Sequence, residues 1–132
     1  MKQYLLDTHT FLWSASDSDF LQLSKPAKTI LEDPDAVLFI SSVSVFEIMN
    51  KFRQGKLPEF ALIAENIAGV ITGLGGNELP LNRVHAERAG SFNWNHKDPF
   101  DRLLAAQAQI EDMILISCDK AFKGVPDLEV LW

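Results

Sequence analysis

A chain of 132 residues, 47% of them hydrophobic, has the length of one domain and enough apolar content to bury an ordinary core. Its formal net charge of −6 excludes the overall basic footprint of a protein that holds nucleic acid by bulk electrostatics, so any such contact must be local. No run approaches the roughly 18 apolar residues of a membrane span, and the opening MKQYLLDTHT passes straight into strand-like sequence without an h-region, which predicts a cytoplasmic protein.

Residues 3–7 read as a first strand, after which THTFLWSAS begins a helical segment. SKPAKTILED (24–33) predicts a helix with Ser24 as its cap and Pro26 in the first turn. AVLFIS (36–41) is a fully buried strand, followed by a helix from about Ser44 to Gln54 that the GKLP turn ends. The cations Lys51, Arg53 and Lys56 at that end read as a solvated helix terminus, where positive charge is favoured. Residues 58–76 predict one long helix stopped by glycines, NELPL (77–81) a short strand, and NRVHAERAG (82–90) a helix capped by Asn82 with Gly90 past its end. A loop, SFNWNHK, precedes a helix over 98–113, a strand over 114–118 and a last strand over 128–132. The single Cys118 lies in an apolar run and reads as a small buried hydrophobe. Strands alternating with helices imply right-handed βαβ units. The expected fold is therefore one α/β domain over 1–132, a three-layer α/β/α sandwich around a central, mostly parallel sheet.

Four carboxylates punctuate this pattern. Asp7 ends YLLD, Glu47 follows VLFISSVSVF, Asp101 lies in HKDPFDRLLAAQA, and Asp119 ends MILISCD. Neighbouring parallel strands would open these groups onto one edge of the sheet, the place where open α/β folds bind ligands. Each also has a local explanation. Asp98 has the form of an N-cap before Pro99, with Asp101 three residues on; Ser44-Val45-Phe46-Glu47 is a capping-box pattern; Asp119 fits a cap on the turn that follows it. Capping accounts for any one of them but does not require all of them to meet, and a capping carboxylate still has a second oxygen to offer a cation.

Asp98 and Asp101, three apart at a helix start, would place their Cβ atoms about 5–6 Å from each other. At an effective dielectric of 20, two carboxylates about 4 Å apart repel by roughly 4 kcal/mol. Protonation of one member, a protein cation or a metal must offset this. Oxygen ligands with one cysteine and few histidines suit Mg²⁺ or Mn²⁺ and disfavour zinc or iron–sulfur. Two such ions about 3.5–4 Å apart are the arrangement that activates water for phosphodiester hydrolysis.

At these residues the chain resembles a known family. LLDTHTFLW (5–13), SVSVFEIMNKFRQGKL (42–57), HKDPFDRLLAAQA (96–108) and LISCDKAF (115–122) are similar, in order and spacing, to the four acidic motifs of PIN-domain ribonucleases, and in particular of VapC-type toxins. The resemblance implies a parallel α/β/α sandwich and Mg²⁺- or Mn²⁺-dependent cleavage of RNA. It also implies a metal-binding set of Asp7, Glu47, Asp101 and Asp119 with Asp98 as an additional member, an antitoxin protein that occupies the acidic groove, and a homodimer within the toxin–antitoxin complex. Phe46 stands where the family often has Trp, and Ser117 where Thr is common; each keeps an aromatic or a hydroxyl.

Other residues have two readings. Thr8 is placed to orient Asp7 or to make a local turn. Arg102 or Lys97 is placed to contact a phosphate or to pair with a nearby acid. His9 and His96 are candidates for proton transfer or ordinary loop residues, and Trp94 for stacking on a base or packing over the helix start. Among rival functions, a phosphorelay receiver needs an acidic pair after the first strand and an aspartyl-phosphate phosphatase a second Asp two residues on; Thr8 and His9 occupy those places. A metal-free module that sequesters an RNA or a protein is the alternative from a different class.

Overall fold

The computed structural model describes residues 2–132. Five strands form one sheet in the order β3-β2-β1-β4-β5: β1 (Gln3–Leu6), β2 (Val37–Ser41), β3 (Asn77–Leu79), β4 (Ile114–Ile116) and β5 (Val130–Leu131). Every pairing is parallel, so the expected mostly parallel sheet is wholly so among the described residues. The helices are α1 (Thr8–Ser14), α2 (Lys25–Glu32), α3 (Ser42–Arg53), α4 (Ala61–Ala64), α5 (Ile67–Gly73), α6 (Arg83–Ser91) and α7 (Pro99–Ile110). None of them is long and apolar enough to cross a membrane.

The period-two alternation of the central strands builds the three layers. Tyr4 and Leu6 of β1, with Ile114 and Ile116 of β4, enter a core that α1, α2, α4 and α5 complete through Phe11, Leu12, Ala27, Ile63 and Ile71. Leu5 and Leu115 point to the other face, where Leu104, Ala105 and Ala108 of α7 meet them with Phe122. Both faces are covered, which is why these strands are continuously apolar. The edge strands are short, three residues in β3 and two in β5.

Three local expectations need correction. Helix α3 starts at Ser42, because Ser41 caps it by accepting from the Val43 amide; Ser44 is buried and does not cap. The segment 58–76 is not one helix but a 3-10 turn (Pro58–Phe60), α4 and α5, broken at Asn66, whose φ of −149° and ψ of 54° leave the helical region. A Cβ on Gly69 would come within 2.4 Å of Asn66 Nδ2, so the absence of a side chain there gives the Asn66 amide its place over the first turn of α5. Helix α6 runs through Gly90 to Ser91, while its predicted Asn82 cap is present as a reciprocal capping box with His85.

That box belongs to a buried polar chain. His85 Nδ1 accepts from the Asn82 amide (3.2 Å), so its Nε2 carries the proton and donates to Glu111 (2.8 Å). Beside it the fully buried Gln107 of α7 pairs with the Ser41 hydroxyl and donates to the Pro80 carbonyl. The start of α3 is thereby registered against α7, and these two helices carry Glu47 and Asp101.

Candidate active site

All five predicted carboxylates, Asp7, Glu47, Asp98, Asp101 and Asp119, line one open cleft of about 420 Å³ at the carboxyl edge of the sheet. Local structure explains how each arrives there. Asp7 follows β1, its amide still bonded to Ile116 O, and caps α1 through Oδ1, which accepts from the Thr10 amide (2.9 Å). Asp98 caps α7 by accepting from the amides of Phe100 and Asp101. Asp119 follows β4 and caps the 3-10 turn Lys120–Gly124 through the Ala121 amide (2.9 Å). Capping and convergence thus coexist in the same side chains.

Asp101 does not bond back to its cap. Its Oδ2 meets His96 Nε2 at 2.7 Å, and ligand atoms of His96, Asp98 and Asp101 lie within 4.8 Å of one another. Glu47, on the second turn of α3, is 6% exposed and held on both oxygens: Thr8 Oγ1 donates to Oε1 (2.6 Å) and Lys51 Nζ to Oε2 (2.6 Å). Thr8 therefore orients Glu47 rather than Asp7, which is held by the Thr10 amide while the Thr10 hydroxyl donates to the Ile116 carbonyl. Lys51 is no solvated terminus; it lines the cleft. The i,i+4 spacing of Glu47 and Lys51 on one helix was the available signal for this pair.

The electrostatics express the crowding. Burial raises the Asp7 carboxyl above its ordinary value against the pull of its hydrogen bonds. Burial pushes Asp101 up to about 6, the charges of Asp98 and Asp119 adding to it and His96 opposing. The set fits a hard divalent cation, since it consists of oxygen donors, three of them held at cap positions and the other two by side chains, and carries negative charge that burial disfavours. Cys118 is exposed at the cleft rather than buried, because it lies just beyond β4 at the open sheet edge; its thiol is raised by burial and by Asp7 and Asp119, which suppresses the thiolate.

The other expectations divide. Arg102 points away from the cleft and donates to the carbonyls of Ala89, Phe92, Trp94 and His96 at 2.6–3.1 Å. Trp94 packs between Phe92, His96 and Phe122, with its ring 4.7 Å from that of His96. Lys97 is exposed and does not line the cleft. His9 does line it, 5.7 Å from the Trp13 ring.

A folded Asp101 that holds its proton more tightly than an unfolded one loses stability as the pH rises from 3.8 towards about 6. In a chelator, the stability of the chain relative to Asp101→Asn is therefore expected to fall across that window, and Mn²⁺ to offset the loss above it. Thermal melts of the two proteins over this range check it; a difference that rises with pH contradicts it.

The PIN domain family model matches residues 4–128. DNA-bound VapBC from Salmonella typhimurium overlays with a TM-score of 0.65 at 16% identity, covering 99% of this chain and 98% of that one. VapC20 from Mycobacterium tuberculosis, a Sarcin-Ricin loop cleaving toxin, overlays with a TM-score of 0.65 at 14% identity, covering 96% and 98%. VapBC2 from Rickettsia felis, bound to a DNA fragment from its promoter, gives 0.62 at 18% identity over 98% and 97%. No curated protein matches the chain. At these identities the structural likeness is one of fold, whereas the family match spans nearly the whole sequence and all four acidic segments: the chain belongs to the PIN domain family.

Proposed function

We propose that the protein is a Mg²⁺- or Mn²⁺-dependent endoribonuclease acting as the toxin of a toxin–antitoxin pair. The observation that carries this reading is the meeting of five carboxylates, remote in sequence, in one cleft of a PIN fold. Asp7, Asp101 and Asp119 hold a divalent ion, and Glu47 with Asp98 positions a second ion or the attacking water. The bound ion supplies Lewis acidity, lowering the pKa of a coordinated water and offsetting charge on the departing oxygen. The chain itself orients these groups. The Thr10 amide fixes Asp7, His96 fixes Asp101, and Thr8 with Lys51 fixes Glu47. Because the chain is acidic overall, its contact with RNA is local and does not rest on bulk electrostatics.

The toxin role rests on the fold likeness to toxin–antitoxin structures. The partner is a small antitoxin that brings cations into the acidic cleft, and the assembly contains a homodimer of this chain. Purified protein is expected to cleave RNA with Mg²⁺ or Mn²⁺ and to leave 5′-phosphate ends, with chelation stopping the reaction. Cleavage that persists in EDTA would remove the metal-dependent reading, and failure of the neighbouring short reading frame's product to inhibit cleavage would remove the toxin role.

A further inference from the structure

We propose that Lys51 takes the place of a second cation, so that the cleft binds one divalent ion and Glu47 works from an ion pair with Lys51, not as a metal ligand. The inference rests on the metal-centre reading above and deepens it. Glu47 is buried, and a buried carboxylate without a partner is strongly disfavoured. Here both of its oxygens are engaged by the chain: Thr8 Oγ1 and Lys51 Nζ each lie 2.6 Å away on opposite oxygens. A dication ligated through Oε2 would sit beside an ammonium, and one ligated through Oε1 would compete with the Thr8 hydroxyl. The Lys51 side chain is only 33% exposed and that of Glu47 8%, so their attraction is screened less than that of a surface pair.

The opposite side of the cleft differs. Asp7, Asp98, Asp101 and Asp119 line it together, and among the described residues no lysine or arginine side chain pairs with any of them. Of the lysines and arginines among the described residues, Lys51 alone lines the cleft. The demand for an external cation is therefore concentrated at Asp7, Asp98, Asp101 and Asp119, while the Glu47 side is already answered. Lys51 is a positioning residue in this scheme, acting through Glu47.

The test is the number of Mn²⁺ ions bound by the full chain without RNA, read by calorimetry and by electron paramagnetic resonance, with melting curves to establish folding. The unsubstituted chain and Lys51→Arg are expected to bind one ion, and Lys51→Met to bind two, because Glu47 then needs a new cation. Glu47→Gln in an otherwise unsubstituted chain is expected to keep the single ion; this variant decides the matter should Lys51→Met fail to fold. Two ions in the unsubstituted chain, one ion in folded Lys51→Met, or loss of the ion in Glu47→Gln would each overturn the proposal and leave the metal centre standing. No ion in any form would overturn both.

Discussion

Asp7→Asn is expected to lower RNA cleavage by about a thousandfold while raising the melting temperature of the metal-free protein. The two effects have one origin. Asp7 is 8% exposed, its ionised form is disfavoured by burial, and it stands among Asp101, Asp119 and Cys118 at the cleft. Asparagine has nearly the same shape, and its carbonyl oxygen still accepts from the Thr10 amide that Asp7 now caps. It removes the charge and turns the second oxygen into an N–H donor. A metal-free fold then no longer holds that charge in a desolvated place, which is stabilising. In the proposed metal centre the ion would lose a buried, charged ligand. Charge stabilisation by a bound ion is on the order of 4 kcal/mol, a factor of about a thousand in rate. Single-turnover cleavage and thermal melting in EDTA measure the two halves. A variant that keeps most of its rate would detach Asp7 from the chemistry, and one that melts lower would mean that the charge is better accommodated than its burial implies.

Arg102→Ala is expected to destabilise the protein by about 3 kcal/mol, a fall on the order of 10 °C in melting temperature for a domain of this size. The guanidinium gathers four carbonyls from the segment 89–96 and lies 4.7 Å over the Phe92 ring. Its truncation leaves those acceptors without a charged donor and loosens the segment that carries His96 up to the cap at Asp98. Arg102→Lys is expected to restore little, because an ammonium cannot span four acceptors laid out around a planar fork. Mn²⁺ affinity should fall with stability, since His96 fixes Asp101. An Arg102→Ala protein that melts with the unsubstituted chain would assign the loop's order to the Phe92–Trp94–His96 stack instead.

How much of this was legible in the sequence depended on whether the signal was local. The central strands were, because short apolar runs bounded by turn residues read as buried strands, and so was α7, whose Asp98-Pro99 start combines a cap with the helical position proline favours. The start of α3 was not, since Ser41, Ser42 and Ser44 are all competent caps and only tertiary bonds separate them, Ser44 meeting Thr8, Ser42 accepting from the Leu81 amide and Ser41 pairing with Gln107. The break at Asn66 leaves no gap in the apolar content of 58–76 and depends on the small side of Gly69. Arg102 read either as a contact for phosphate or as the partner of a nearby acid, because a cation beside acids looks like a pair in one dimension; its actual partners are main-chain carbonyls, which carry no residue signature. The five carboxylates were found together because each directly follows a strand or sits at the start or in the first two turns of a helix that begins at the same sheet edge.

The brevity of β3 and β5 has a consequence for solution behaviour. A two- or three-residue margin offers few open amides and carbonyls to a passing chain, so this protein gives little purchase for strand addition, the step by which exposed β margins seed fibrils and swapped assemblies. Self-association should therefore proceed through side chains on helices such as α3, where Phe46 and Met49 are exposed, and should dissolve reversibly on dilution.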